Sequence, residues 1–267
     1  MTRQPHFEPF IARLGTGARS VLALHCTMAF SGAWAGFQRH AGDDLTFVAP
    51  DMPSHGKSVD WDGVSDFSDT VFVAARDALT EPMDIIGHSF GGAVALRLAI
   101  EHPELVRSLA VIEPVTFSIA LQDQPDVVRD HDKDAESFHE FIKAGDNEGG
   151  ARAFNRMWSD HGPKWDSIPM ASRQAMTRAI PVVPGTMPFL YEDSADILPR
   201  LKDLHIPTLM IRGETSHAVV SVTNEGLADR LPNAHSVTIP EAGHMAPISH
   251  PAETAAVWRA FLAKHVG

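Results

Sequence analysis

The chain has 267 residues, 44% of them hydrophobic and 21% charged, with a formal net charge of −12. That length suits one catalytic domain with room for an insertion. The negative surface disfavours nucleic acid and anionic membranes, and the single cysteine, Cys26, excludes an intrachain disulfide. No run of about 18 apolar residues offers a membrane span. The first residues lack the apolar stretch of a signal peptide, so the expected location is cytoplasmic. The partners expected are a small-molecule substrate and, at most, a second copy of the chain: a monomer or a homodimer.

In chain order, six short apolar runs read as buried strands: 20–25, 45–49, 84–87, 108–112, 207–212 and 235–239. They lack strict alternation, as strands covered on both faces do. The segment 7–14 is read as an antiparallel edge strand. Helical patterns lie between the strands at 67–79, 90–101, 222–231 and 252–264. Strand–helix alternation predicts an α/β fold with a doubly wound, mostly parallel sheet. The interval from Glu113 to Pro207 is too long for one crossover. It has helical faces of its own, one formed by Ala135, Phe138, Phe141 and Ile142 and another by Ala151, Phe154 and Trp158. Pro181, Pro184 and Pro188 then interrupt any continuous helix. The reading is a core domain of residues 1–115 and 201–267, with residues 116–200 inserted as a helical cap; a long structureless loop would be the alternative.

Gly87-His88-Ser89-Phe90-Gly91 matches G-x-S-x-G, and it follows an apolar run and opens an apolar helix. That strand–turn–helix context is what a nucleophile elbow requires. The flanking glycines admit close backbone packing, and the helix N-terminus favours negative charge at the reacting centre.

With this motif the chain resembles the α/β-hydrolase family, through nearly its whole length. Leu24-His25-Cys26-Thr27 is similar to the family's oxyanion segment, and Asp51-Met52-Pro53-Ser54-His55-Gly56-Lys57-Ser58 to its D-x-P-G-H-G-x-S turn. Gly243-His244-Met245 resembles the terminal histidine motif. The resemblance implies Ser89 as nucleophile, His244 as general base, and an oxyanion hole made by the backbone amides of Phe90 and Thr27, with Met28 as substitute for the latter. Cys26 replaces the family's usual glycine, so its backbone must suit a residue with a Cβ. His88, His55 and His25 are read as packing and bracing residues. No His/Cys/Asp pattern points to a metal, and no cofactor is expected.

The acid departs from the commonest pattern. Many members carry an aspartate after the penultimate strand, in a turn that here reads Gly213-Glu214-Thr215-Ser216. A serine cannot supply the charge that stabilises an imidazolium. Some members place the acid one strand earlier, where this chain has Glu113. A carboxylate at a strand's carboxyl end faces the site side of an open sheet. Glu113 is the candidate acid, with Glu214 or a more distant carboxylate as alternatives.

The cap is rich in Met and aromatic residues, which makes an apolar pocket roof, with Met157, Trp158, Phe189 and Met245 as candidate pocket residues. The expected reaction is hydrolysis of a small-to-medium, largely apolar ester, thioester or lactone through an acyl-enzyme on Ser89. Three alternatives stay open: a carbon–carbon bond hydrolase for a β-diketone-like substrate, a cofactor-free haloperoxidase or perhydrolase, and a non-enzymatic ligand receptor or pseudoenzyme. A dehalogenase is disfavoured because related ones carry aspartate at the elbow.

Overall fold

A computed structural model describes residues 7–159 and 162–266. The first part of the chain forms β1 (Ile11–Leu14), β2 (Arg19–Leu24), a 3-10 turn (Ser31–Trp34) running into α1 (Ala35–Ala41), β3 (Leu45–Pro50), α2 (Phe67–Asp77), β4 (Met83–His88), α3 (Phe90–Glu101) and β5 (Val106–Ile112). Among the described residues six α-helices, with three 3-10 turns, follow before the next strand: α4 (Phe117–Asp123), α5 (Pro125–Asp134), α6 (Glu136–Lys143), α7 (Asn147–Trp158), α8 (Met170–Ala179) and α9 (Met187–Glu192). The chain closes with β6 (Thr208–Gly213), α10 (Ala218–Arg230), β7 (Ala234–Ile239), α11 (Ala246–Ser249) and α12 (Pro251–His265).

The seven strands form one sheet in the order β1-β3-β2-β4-β5-β6-β7. Only β1 runs antiparallel, against β3; every other pairing is parallel. Alternate residues feed two cores. Leu22, Leu24, Ile85, Leu109, Val111 and Met210 face one layer with α2, α3 and α10. Val21, Ala23, Ile86, Ala110, Ile112, Leu209 and Ile211 face the other, where Phe37 of α1 and Trp258 of α12 pack. Apolar residues on both faces explain why the strands read as unbroken runs.

The expected edge strand is confined to Ile11–Leu14, because only these residues pair with β3. Helix α1 is not among the expected elements, and α10 begins four residues before the helix expected at 222–231. Ala218–Ser221 precedes a Val/Thr-rich stretch that looks strand-like, yet Val219, Val220 and Val222 are buried on a helix; packing overrides propensity there. Between β5 and β6 the chain is helical, as expected, with a small core of its own. Phe138, Ala151, Trp165, Ile168, Ile180 and Val183 are buried together, with Phe141, Ile142 and Phe154 against them. Met187 starts α9 with Pro188 in its first turn, where a missing N–H costs nothing.

Candidate active site

The chain leaves β2 in one direction to form β3 and returns on the opposite side as β4. The carboxyl ends of β2 and β4 therefore flank a topological switch point, the usual crevice of an open α/β sheet. The turn after β2 carries Thr27, and the turn after β4 carries Ser89.

Ser89 sits between β4 and α3 with φ 55° and ψ −119°. Such a conformation costs a non-glycine residue about 1–3 kcal/mol. Its surroundings hold it. The Ser89 N–H donates to Ile112 O at 2.9 Å, and its carbonyl accepts from Gly92 and Ala93. A Cβ on Gly87 would lie 2.3 Å from Gly91 O, and one on Gly91 would lie 2.4 Å from Leu24 O and 2.5 Å from His25 O. Both glycines are thus required by contact with backbone, which cannot yield. Serine at the N-cap of a helix normally bonds a first-turn amide. Ser89 makes no such bond; its Oγ lies 3.0 Å from His244 Nε2 instead.

His244 follows β7 in the turn before α11. Gly213 lets this turn close on the end of β6, since a Cβ there would lie 2.2 Å from Ala242 O. His88 Nε2 donates to the His244 carbonyl at 2.8 Å. Burial, and then the neighbouring His244, push the His88 pKa down to about 3, so this donor stays neutral. On the other side, His244 Nδ1 lies 3.2 Å from Glu113 Oε2.

Glu113 is fully buried. In the β4–β5 register His88 is level with Ile112, so Ser89 and Glu113 are the next residues of adjacent strands. Glu113 also turns out of its strand with positive φ, 53°. Its Oε1 accepts from Gly213 N and from Ser216 Oγ, both at 2.5 Å. Two donors hold one oxygen and leave the other for His244. Glu214, the alternative acid, is exposed and accepts from Glu241 N at 2.9 Å. The structure therefore brings Ser89, His244 and Glu113 together and leaves Glu214 outside.

The turn after β2 is fastened to the 51–58 turn by two histidines. His25 accepts from Met52 N at 3.1 Å, and its Nδ1 faces Cys26 O at 2.8 Å. His55 accepts from Met28 N at 3.0 Å, and its Nδ1 faces Pro53 O at 2.8 Å. Burial lowers both pKa values, that of His55 to about 3, so both rings are neutral. Asp51 ties the same turn, accepting from Ser31 N at 2.6 Å and Lys57 N at 2.8 Å. The Met28 amide is thereby engaged by His55. Phe90 is the first residue of α3, so its N–H has no carbonyl in its own helix. Cys26 is buried, and burial pushes its thiol up to about 12, so it supplies no thiolate near neutral pH.

Of the expected pocket residues, Trp158 lies against the site, its ring centroid 4.4 Å from that of His244. Met157 and Met245, the chain neighbours of Trp158 and His244, are half-buried. Phe189 is buried edge-on against Phe90, with centroids 6.2 Å apart. Two residues that sequence reasoning passed over also reach Trp158. His217 is 5.1 Å from its ring and bonds Met157 O at 2.5 Å; His131 is 5.3 Å away. His131 lies in Asp130-His131-Asp132-Lys133, which reads as a solvated helix face, so no sequence signal marked it.

Comparison with known proteins bears on the fold and the family. The family model described as "Alpha/beta hydrolase family" matches residues 21–257. A pimeloyl-[acyl-carrier protein] methyl ester esterase from Nitrosomonas europaea is 25% identical, covering 90% of this chain and 94% of that protein. The enzyme of that name from Neisseria meningitidis is 29% identical, covering 85% and 89%. The dihydrolipoyllysine-residue acetyltransferase component of the acetoin cleaving system of Cupriavidus necator is 34% identical over 113 residues, a match spanning only 30% of that protein. Among solved structures, a thermophilic esterase from Thermogutta terrifontis aligns with a TM-score of 0.70 at 20% identity, over 97% of this chain and 94% of that one. MenH from S. aureus aligns with a TM-score of 0.72 at 17% identity, over 96% and 99%. By the family match and the shared fold, this chain is a hydrolase that belongs to the α/β-hydrolase family.

Proposed function

We propose that the chain hydrolyses a carboxylic ester, thioester or lactone through an acyl-enzyme on Ser89, with His244 as general base and Glu113 as the acid. The observation that carries this reading is the continuous path from Ser89 Oγ to His244 Nε2 at 3.0 Å and from His244 Nδ1 to Glu113 Oε2 at 3.2 Å. Three groups on three separate turns meet with the polarity that acyl transfer needs.

The steps follow from that polarity. Glu113 accepts from the Nδ1–H of His244 and so fixes the tautomer with a bare Nε2. That nitrogen takes the Ser89 proton as Oγ attacks the substrate carbonyl. Negative charge develops on the carbonyl oxygen, and the Phe90 and Thr27 amides receive it, helped by the N-terminus of α3. His244 returns the proton to the leaving group, and the acyl-enzyme forms. Water, deprotonated by the same nitrogen, then releases the acid. Residues 116–200 act as the cap that roofs this site, with Trp158 over the base. The relatives named as methyl ester esterases support an ester as substrate.

A panel of p-nitrophenyl esters, thioesters and lactones, assayed with the wild type and Ser89→Ala, tests the reading. Turnover of at least one class that falls by about 10⁴ or more in the variant is expected. Turnover of none, or turnover indifferent to the substitution, contradicts it.

A further inference from the structure

We propose that His217 is a positioning residue for the catalytic base: its imidazole holds Trp158 against His244. The inference rests on the hydrolase reading above, in which His244 takes the proton of Ser89.

The catalytic imidazole is fixed by hydrogen bonds at both nitrogens, Nε2 to Ser89 and Nδ1 to Glu113. Those bonds do not by themselves stop the ring from tilting about the line that joins them. Contacts on the body of the ring resist that motion, and two rings supply them. His88 lies with its centroid 5.2 Å from that of His244, and Trp158 lies at 4.4 Å. His88 is anchored by its own bond to the His244 carbonyl. Trp158 is the last residue of α7 and stands at the helix's open end. Phe117, His131 and Phe154 pack on it, with centroids 6.5, 5.3 and 6.1 Å away. All three belong to the helical stretch between β5 and β6, as Trp158 does. His217 belongs instead to the segment after β6, at the N-cap of α10, where its carbonyl accepts from Val220 N and Ser221 N.

From that place His217 reaches across to α7. Its Nε2 lies 2.5 Å from Met157 O, and its ring centroid 5.1 Å from that of Trp158. A carbonyl can only accept, so Nε2 carries the proton and donates it. Met157 is in the last turn of α7, where the helix supplies its carbonyl with no donor and the dipole favours one. The hydrogen bond fixes the residue next to Trp158, and the ring contact bears on Trp158 itself. The neighbour of His217 in the chain completes the device: Ser216 Oγ bonds Glu113 Oε1. Of two consecutive residues, one holds the acid that orients His244 and the other holds the ring that packs on it. A misplacement of about 1 Å in a catalytic group costs about 10²-fold in rate, so His217 acts on the reaction without touching substrate.

The test pairs two amide substitutions and reads the second-order rate constant for fluorophosphonate labelling of Ser89, with the melting temperature beside it. His217→Gln carries an amide nitrogen long enough to stand in for Nε2 and reach Met157 O. His217→Asn is too short to reach it, yet asparagine is favoured at the N-cap of α10, which protects the fold. His217→Asn should slow labelling about fivefold or more, and His217→Gln should restore it to within about twofold of the wild type. In a Trp158→Leu background His217→Asn should cost less than about twofold, because the ring it positions is gone; this cycle decides alone should His217→Gln not fold. Labelling of His217→Asn at the wild-type rate, whatever its melting temperature, overturns the positioning role. Equal losses in the two folded variants, or an undiminished loss in the Trp158→Leu background, overturn it as well. Failure of the hydrolase reading shows separately, as absence of labelling on the wild type, and takes this role with it.

Discussion

Ser216 Oγ donates to Glu113 Oε1 at 2.5 Å, across 103 residues of sequence. The turn in which many family members carry the acid here carries a hydroxyl that grips an acid delivered from the neighbouring strand. The Glu113 carboxylate stands at the end of β5, and Ser216, after β6, holds one of its oxygens. Glu113→Gln should lower kcat by about 10²–10⁴ with the fold retained, while Ser216→Ala and Glu214→Gln should each cost less than about tenfold. Steady-state kinetics with circular dichroism as the fold control decides this. The reverse ranking would place the acid elsewhere.

The elbow glycines are expected to differ in tolerance. A Cβ on Gly91 meets the Leu24 and His25 carbonyls at 2.4 and 2.5 Å, whereas one on Gly92 meets nothing closer than Gly87 O at 3.2 Å. Gly91→Ala should destabilise by about 1–3 kcal/mol, as overpacking does, and should lower kcat by pushing back the turn that holds Thr27. Gly92→Ala should do markedly less of both. Denaturant midpoints and kcat measured together check the pair; equal effects would deny that the Gly91 contact holds the turn.

Stability should fall as pH drops below about 6.5. His55 and His88 have pKa values pushed down to about 3, His131 to about 4, and His25 is also lowered, each chiefly by burial. Their unfolded values lie near 6.5. Between the two values the unfolded chain binds protons that the folded chain refuses. Stability is therefore complete above pH 6.5 and is lost as pH falls, by up to about 1.4 kcal/mol per pH unit for each histidine. Cys26 acts at the other end: its folded pKa is near 12, so stability also declines once the unfolded thiol ionises above about pH 9. Guanidinium midpoints at pH 7.5, 6.5 and 5.5 should descend in that order. Equal midpoints would mean that the histidines are not held neutral.

Asp84, at the opposite end of the sheet from the site, carries no catalytic role in this account. It is fully buried and bonds Arg19 at 2.7 Å, Arg107 at 3.0 Å and Ser108 at 2.7 Å. Burial alone would raise its pKa, and these three partners overcome that and lower it. Asp84→Asn should cost about 3 kcal/mol of stability by leaving two arginines without their carboxylate, with kcat changed less than about twofold. A large loss of kcat in a folded variant would show that the two ends of the sheet are coupled.

Strands and elbow were legible in the sequence because they answer to local rules. β4 and α3 flank Ser89 as an apolar run and an apolar helix must, and Glu113 stood out by its place at a strand end. What escaped notice depends on contacts between distant segments. The Met28–His55 and Met52–His25 bonds join turns 27 residues apart, and nothing in either turn names its partner. The helix Ala35–Ala41 did leave a signal: Trp34, Phe37 and Ala41 recur at helical spacing and are buried. His131 left none, since burial beside Trp158 is created by the tertiary fold of an otherwise polar helix.

Covalent labelling is the most direct measurement of whether Ser89 is the nucleophile. The wild type is treated with a fluorophosphonate, weighed intact by mass spectrometry and mapped by peptide. One adduct is expected, on Ser89, absent from Ser89→Ala and slowed in the folded Glu113→Gln variant. An adduct on another residue, or none on a folded wild-type protein, would contradict it.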